Sequence, residues 1–175
     1  NNGVAGNNFD ADSSCDLWLL MPASTRDHLW DHELPADFTE HIINPSFEDN
    51  QNGWQQIEGK TIDMYHQNNN SFGMKNGGWY LEQYNTNGTY GVQQTLGTLP
   101  NGYYKVTVKA TYNGNDGKAV FFANNKVVEI TDGVKELSII LEVTDGILTF
   151  GVKGVEVEAG KWLAFDDFRL YYFSN

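Results

Sequence analysis

Short alternating segments, each closed by glycine or asparagine, fill the chain from Phe38 onward and leave almost no room for a helix. Val106, Val108 and Ala110 alternate with Lys105, Thr107 and Lys109, so one face of that segment is apolar and the other polar. Period two of this kind marks a half-buried strand. Leu137, Ile139 and Leu141 repeat it before Asp145-Gly146; beyond the turn, Leu148, Phe150 and Val152 face away from Ile147, Thr149 and Gly151. The pattern predicts a hairpin across a glycine-containing turn. Further strands are predicted at 38–48, 78–84, 89–96, 117–124, 126–131 and 161–173. Roughly eight to ten strands suit an all-β fold, an antiparallel β-sandwich or jelly roll.

Charge narrows the partners. The 175 residues carry 11 Lys and Arg against 23 Asp and Glu, a net charge of −12. A field of that sign repels phosphate backbones and anionic lipid, so no nucleic-acid partner is expected. The acidity also leaves carboxylates available to a hard cation such as calcium, which takes oxygen ligands. Cys15 is the only cysteine, which rules out an intrachain disulfide and a cysteine-rich zinc site. No run of about 18 apolar residues occurs, so no membrane insertion by a helix is expected. The absence of an initiator Met and of a signal sequence reads as a processed or excised chain.

Residues 1–37 differ from the rest and read as a lead-in or the remnant of an upstream domain, with 38–175 as the sandwich. A polar opening leads to the apolar run Leu17-Trp18-Leu19-Leu20-Met21, stopped by Pro22. Ser24 is placed to cap a short helix from Asp27 to Glu33 that Pro35 ends. His28 and His32 sit four apart on it, but the glutamate and third ligand of a zinc protease are missing, and two exposed histidines are expected.

Several pieces taken in order carry a family likeness: Asn44-Pro45-Ser46-Phe47-Glu48, Gly53-Trp54, Val92-Gln93-Gln94-Thr95-Leu96, Leu99-Pro100-Asn101-Gly102-Tyr103-Tyr104, Asp145-Gly146 and Asp166-Asp167-Phe168-Arg169-Leu170. From Thr39 to Phe173 the chain resembles the galactose-binding-like β-sandwich modules, in particular carbohydrate-binding modules appended to bacterial glycoside hydrolases, Bacteroidetes among their sources. The resemblance implies a non-catalytic module of an extracellular or cell-surface bacterial protein that binds a polysaccharide or glycan, with a catalytic domain on the same parent chain. It also implies a structural calcium held by acidic residues of the first and last strands, a role that falls on Glu48 and Asp166, with Asp167 as a further candidate.

The residues themselves bear on both implications. Pro100-Asn101-Gly102 supplies a turn, and Phe47, Trp54, Phe168 and Leu170 are expected in the core. If Phe168, Leu170 and Tyr172 point inward, period two puts Asp166 inward as well, where an ionised carboxylate is costly unless it is compensated. A cation is one answer; pairing with Arg169 or Lys161 is the other.

Sugar rings need flat apolar faces and neutral hydrogen-bonding groups. Trp79, Tyr84, Tyr112 and Trp162, with Tyr65, stand among Asn and Gln in or beside loops and form the candidate site. Catalysis lacks a comparable signature. Glu82, Glu156, Glu158, Asp166 and Asp167 offer carboxylate pairs without distinguishing context, no nucleophile elbow or phosphate loop occurs, and a lyase would call on Tyr65, His66 and a lysine. An adhesion or spacer domain without sugar binding is the alternative to the binding module.

Overall fold

The computed structural model describes residues 35–57 and 64–173. Eleven strands make two antiparallel sheets: β1 (Ala36–Asp37), β2 (Gln55–Gln56), β3 (Tyr65–Gln67), β4 (Tyr80–Tyr84), β5 (Gly88–Leu96), β6 (Gly102–Tyr112), β7 (Ala119–Ala123), β8 (Lys126–Glu129), β9 (Lys135–Val143), β10 (Leu148–Val157) and β11 (Trp162–Phe173). One sheet runs β3-β4-β11-β6-β9 with β1 also on β11; the other runs β2-β5-β10-β7-β8. Over the described residues the fold is an all-β sandwich. The predicted helix with His28 and His32, the apolar run and Cys15 lie outside the described residues.

Alternation decides the faces. Val106, Val108 and Ala110 of β6 and Phe165, Phe168 and Leu170 of β11 meet Val92 of β5, Phe121 of β7, and Leu148, Phe150 and Val152 of β10 in the shared core. Phe168 is its hub, with Phe47, Trp54, Phe121, Phe150 and Phe165 rings at centroid distances from 4.7 to 6.5 Å. Rings tilted or edge-on at these distances suit the aromatic quadrupole.

Two sequence expectations fail for stated reasons. The segment 38–48 is not a strand: after β1 comes a 3-10 turn at Thr39–His41, then turns in which Asn44, Phe47 and Asn50 have φ of 54°, 52° and 48°. The Asn44 side-chain amide donates to the carbonyls of Asp49, Asn50 and Asn52, holding this bend in place of a ladder. Because Ala36 and Asp37 pair with Tyr172 and Tyr171, the sheet takes in two residues left with the N-terminal segment above.

Likewise β9 and β10 do not form a hairpin. β9 pairs with β6, whereas β10 pairs with β5 and β7, so the turn at Asp145-Gly146 carries the chain from one sheet to the other. Their apolar faces meet across the core instead of lying side by side. A tight hairpin occurs at Asn124-Asn125, between β7 and β8, with Asn124 at φ 49°.

Truncating the hub should be costly. Phe168→Ala is expected to destabilise the protein by about 3–5 kcal/mol, as for other buried aromatics. Denaturant unfolding followed by tryptophan fluorescence measures it; a loss below about 1 kcal/mol would contradict the central packing of this ring.

Candidate functional site

The outer face of the first sheet gathers three of the five aromatics singled out from the sequence. Tyr65 of β3 lies opposite Glu82 of β4, and Glu82 lies opposite Ala164 of β11, in one cross-strand row. The next row sets Tyr84 opposite Trp162. Residues 80, 82 and 84 share this face by period two, while Leu81, Leu163 and Phe165 point the other way into the core. Tyr65 and Tyr84 are 53% and 51% exposed, values that leave ring faces free for a ligand.

Trp162 is held from both sides. Its backbone N–H donates to Asn113 Oδ1 at 2.7 Å and its carbonyl accepts from the Asn113 N–H at 3.3 Å. The preceding turn is fixed by Asn85, whose side chain accepts from Gly160 N–H at 2.9 Å and whose own N–H donates to the Lys161 carbonyl. The segment after β3 walls the platform. Phe72 places its ring 5.8 Å from that of Tyr80, edge-on, and 6.2 Å from that of Trp162, while Met74, Tyr80 and Ala164 form a small buried cluster beneath it. Tyr80 donates its hydroxyl to Asn69 Oδ1 at 2.8 Å.

Tyr112 and Trp79 are not part of this platform. Tyr112 pairs with Leu163 on the inward face and is 0% exposed, so its ring packs in the core. Its hydroxyl reaches Asp116 at 3.3 Å, and burial followed by the neighbouring Asp116 charge pushes its pKa up to about 12. Trp79 precedes β4 on the parity of Leu81 and stacks on His66, rings 4.1 Å apart and 20° from parallel. His66 in turn donates from Nε2 to the Phe47 carbonyl at 2.7 Å. As neighbours in β3, Tyr65 and His66 face opposite sides, so a lyase pairing of the two is not assembled.

The acidic residues sit on a bulge. Register in β11 slips between Asp166 and Arg169 against β6, and Asp167 takes φ 56°. Asp166 lies opposite Lys109, on the outer face, so the inward placement expected from strict period two is wrong; the extra residue resets the parity before Phe168. It is nonetheless 0% exposed, because the wall covers it. Asp166 Oδ2 accepts from the Asn76 backbone N–H at 2.7 Å, and Oδ1 is buried without a partner among the described residues. Burial above all, with the charges of Asp167 and Glu48 adding, raises its pKa to about 7 against the pull of backbone N–H groups.

Glu48 approaches from the other side, its carboxylate accepting from the Gly78 and Trp79 N–H groups at 2.9 and 3.0 Å. Gly77, at φ +103°, leaves room for it, since a Cβ there would collide with the Glu48 carboxylate. Asp167 is otherwise engaged: Lys109 and Arg169 each stand 2.9 Å from it, and Asn76 Nδ2 donates to it at 2.8 Å. Burial would raise its pKa, but Lys109 and Arg169 outweigh that and hold it below the usual carboxylate value. Among the described residues, no group of three or more His, Cys, Asp or Glu is placed to hold a metal.

Sequence reasoning did not single out Glu82 as the centre of the aromatic rows, nor Phe72 as their wall. The alternation Tyr80, Glu82, Tyr84 was a usable signal for the first; the second depends on a loop path with no sequence period.

No protein-family profile matches the chain, and no curated protein does. Solved structures do share its fold. TmCBM61, solved in complex with beta-1,4-galactotriose, superposes with a TM-score of 0.62 at 21% identity, over 76% of this chain and 98% of that one. A family 16 carbohydrate-binding module gives 0.55 at 15% identity, over 74% and 97%. A Stig cyclase from Fischerella sp. TAU gives 0.53 at 15% identity, over 81% and 99%. At these identities the likeness establishes the β-sandwich, and a sandwich that serves both binding modules and a cyclase leaves function to be argued from the site.

Burial separates platform from core in a measurable way. Tyr65→Ala and Tyr84→Ala should change stability by less than about 1 kcal/mol, whereas Tyr112→Ala should cost about 3–5 kcal/mol. Paired thermal and urea melts test this; equal losses at all three positions would contradict the assignment.

Proposed function

We propose that this chain is a non-catalytic carbohydrate-binding module whose site is the outer face of the first sheet, formed by Tyr65, Tyr84 and Trp162 around Glu82. The observation that carries the reading is the two adjacent cross-strand rows, which set the exposed rings of Tyr65 and Tyr84 beside the Glu82 carboxylate, with the half-buried Trp162 ring opposite Tyr84. Apolar sugar faces stack on such rings while hydroxyls find acceptors between them. TmCBM61 and the family 16 module support it through the shared fold. The reading extends to a place outside a bacterial cell, where attachment to polysaccharide raises the local concentration of a catalytic domain on the same parent chain.

A structural calcium belongs to the same proposal. Glu48 and Asp166 fit it: the orphaned Asp166 Oδ1 is buried, a second negative charge faces it, and a hard cation takes such oxygens. Asp167, engaged by Lys109 and Arg169, does not fit as well. When bound, the ion would offset the charge of the two carboxylates under the wall.

Binding to a broad panel of plant, host and microbial glycans, with calcium present, is the test of function. Trp162→Ala and Tyr84→Ala are expected to weaken the best ligand by roughly threefold to tenfold or more without unfolding the protein. Absence of binding across the panel would favour the spacer reading, and cleavage of any glycan would overturn both.

Calcium is checked separately. A hundredfold excess over Kd should add about 2.7 kcal/mol of stability, chelator should remove it, and Asp166→Asn should blunt the response. A melting temperature indifferent to calcium and chelator would exclude the ion.

A further inference from the structure

We propose that Glu82 selects the ligand of this platform: its carboxylate accepts hydrogen bonds from two adjacent hydroxyls of a neutral sugar, and its charge rejects uronic acids. The inference rests on the carbohydrate-binding reading of the same face.

The placement is the first argument. Tyr65 stands directly across from Glu82 on one side and Ala164 on the other, with Tyr80 and Tyr84 two residues away along β4. Directly opposed side chains have Cβ atoms about 5 Å apart, so the carboxylate lies within one sugar ring of the Tyr65 face. Ala164, fully buried with Met74 and Tyr80, belongs to the wall that closes the other side, so the open approach to Glu82 is from Tyr65 and Tyr84.

Its empty valence is the second. An ionised carboxylate accepts through two oxygens and donates nothing. The protein offers Glu82 one hydroxyl, that of Tyr80 at 3.4 Å, and that hydroxyl has its single hydrogen committed to Asn69 at 2.8 Å. Among the described residues no Lys, Arg or His forms an ion pair with it. The neighbouring strands present Tyr65 and Gln67 from β3, and Trp162 and Ala164 from β11, none of them cationic.

Asp167 makes the contrast. It lies in the bulge of β11 and is paired twice, so this chain does compensate a carboxylate that serves its structure. Glu82 is instead left partly buried, and burial raises its pKa. A half-buried unpaired charge costs stability and gives the free protein nothing back. Two ligand hydroxyls would supply the missing donors, whereas a uronate would add a second negative charge to the patch.

Calorimetric titration with β-1,4-galactotriose and xylohexaose as starting neutral probes, then the best neutral glycan of the panel, and with trigalacturonate as the acidic probe, decides the matter. Glu82→Gln is expected to bind the neutral ligand roughly tenfold or more weakly, as for a lost charge-assisted hydrogen bond. Its melting temperature should be unchanged or higher, and trigalacturonate, excluded by wild type, should gain relative to the neutral ligand. Neutral binding that survives Glu82→Gln but fails in Trp162→Ala would overturn the role of Glu82 and leave the platform standing. A lowered melting temperature would mark Glu82 as structural, and equal wild-type binding of trigalacturonate would overturn its selectivity. A wild type that binds no glycan at all would remove the carbohydrate reading and this inference together.

Discussion

Phe165 and Phe168 both point into the core although they are three residues apart in a strand, and the bulge at Asp166 and Asp167 is what permits it. Strict alternation would send one of them to solvent. With the extra residue, Phe168 packs against Phe121 and Phe150 of the facing sheet as well as Phe47 and Trp54 from the turn region. The same bulge frees the Phe168 backbone N–H, which donates to the Pro45 carbonyl at 3.0 Å. The early segment is thus tied to the last strand by this bond, by those that Phe38 and Thr39 make with Leu170, and by a shared aromatic cluster, with no strand pairing over 44–48.

The other product of the bulge is two consecutive carboxylates on the outer face, and these position the wall of the site. Asn76 donates its backbone N–H to Asp166 and its side chain to Asp167, while Glu48 takes the next N–H groups at Gly78 and Trp79. Held at that end, the segment lays Met74 over Ala164 and Tyr80 and sets Phe72 beside Trp162. Core geometry, acidic cluster and aromatic platform are therefore successive consequences of one inserted residue in β11.

The fold was legible because period two survives in the long strands: β5 and β11 are placed within a residue, and the alternating stretches at 105–110, 137–141 and 147–152 fall in β6, β9 and β10, whose ends run up to five residues further. What alternation does not state is which strands are neighbours. Leu137-Ile139-Leu141 and Leu148-Phe150-Val152 read as a hairpin, yet the same pattern serves two strands that face each other across a core. Nor does it register a bulge, which is why Asp166 was expected on the wrong face. For the site, Tyr65, Tyr84 and Trp162 were found by residue type alone and came together only through the register of β3, β4 and β11. Tyr112 has the same composition around it but the opposite parity, and composition carries no parity.

Three acidic side chains on or near one sheet face meet three different fates, and the difference separates structure from function. Asp167 is paired with two cations and contributes to holding the bulge. Asp166 is buried with one oxygen satisfied and one not, a state that calls for a proton or a cation. Glu82 has neither a cationic neighbour among the described residues nor full burial, and it stands where the aromatic rings are most exposed. A chain selected only for stability would replace that carboxylate with an amide, since the surrounding rings gain nothing from its charge. Its retention beside Tyr65 and Tyr84 is a local cost that the folded state alone does not repay, and costs of this kind concentrate where a protein meets its ligand.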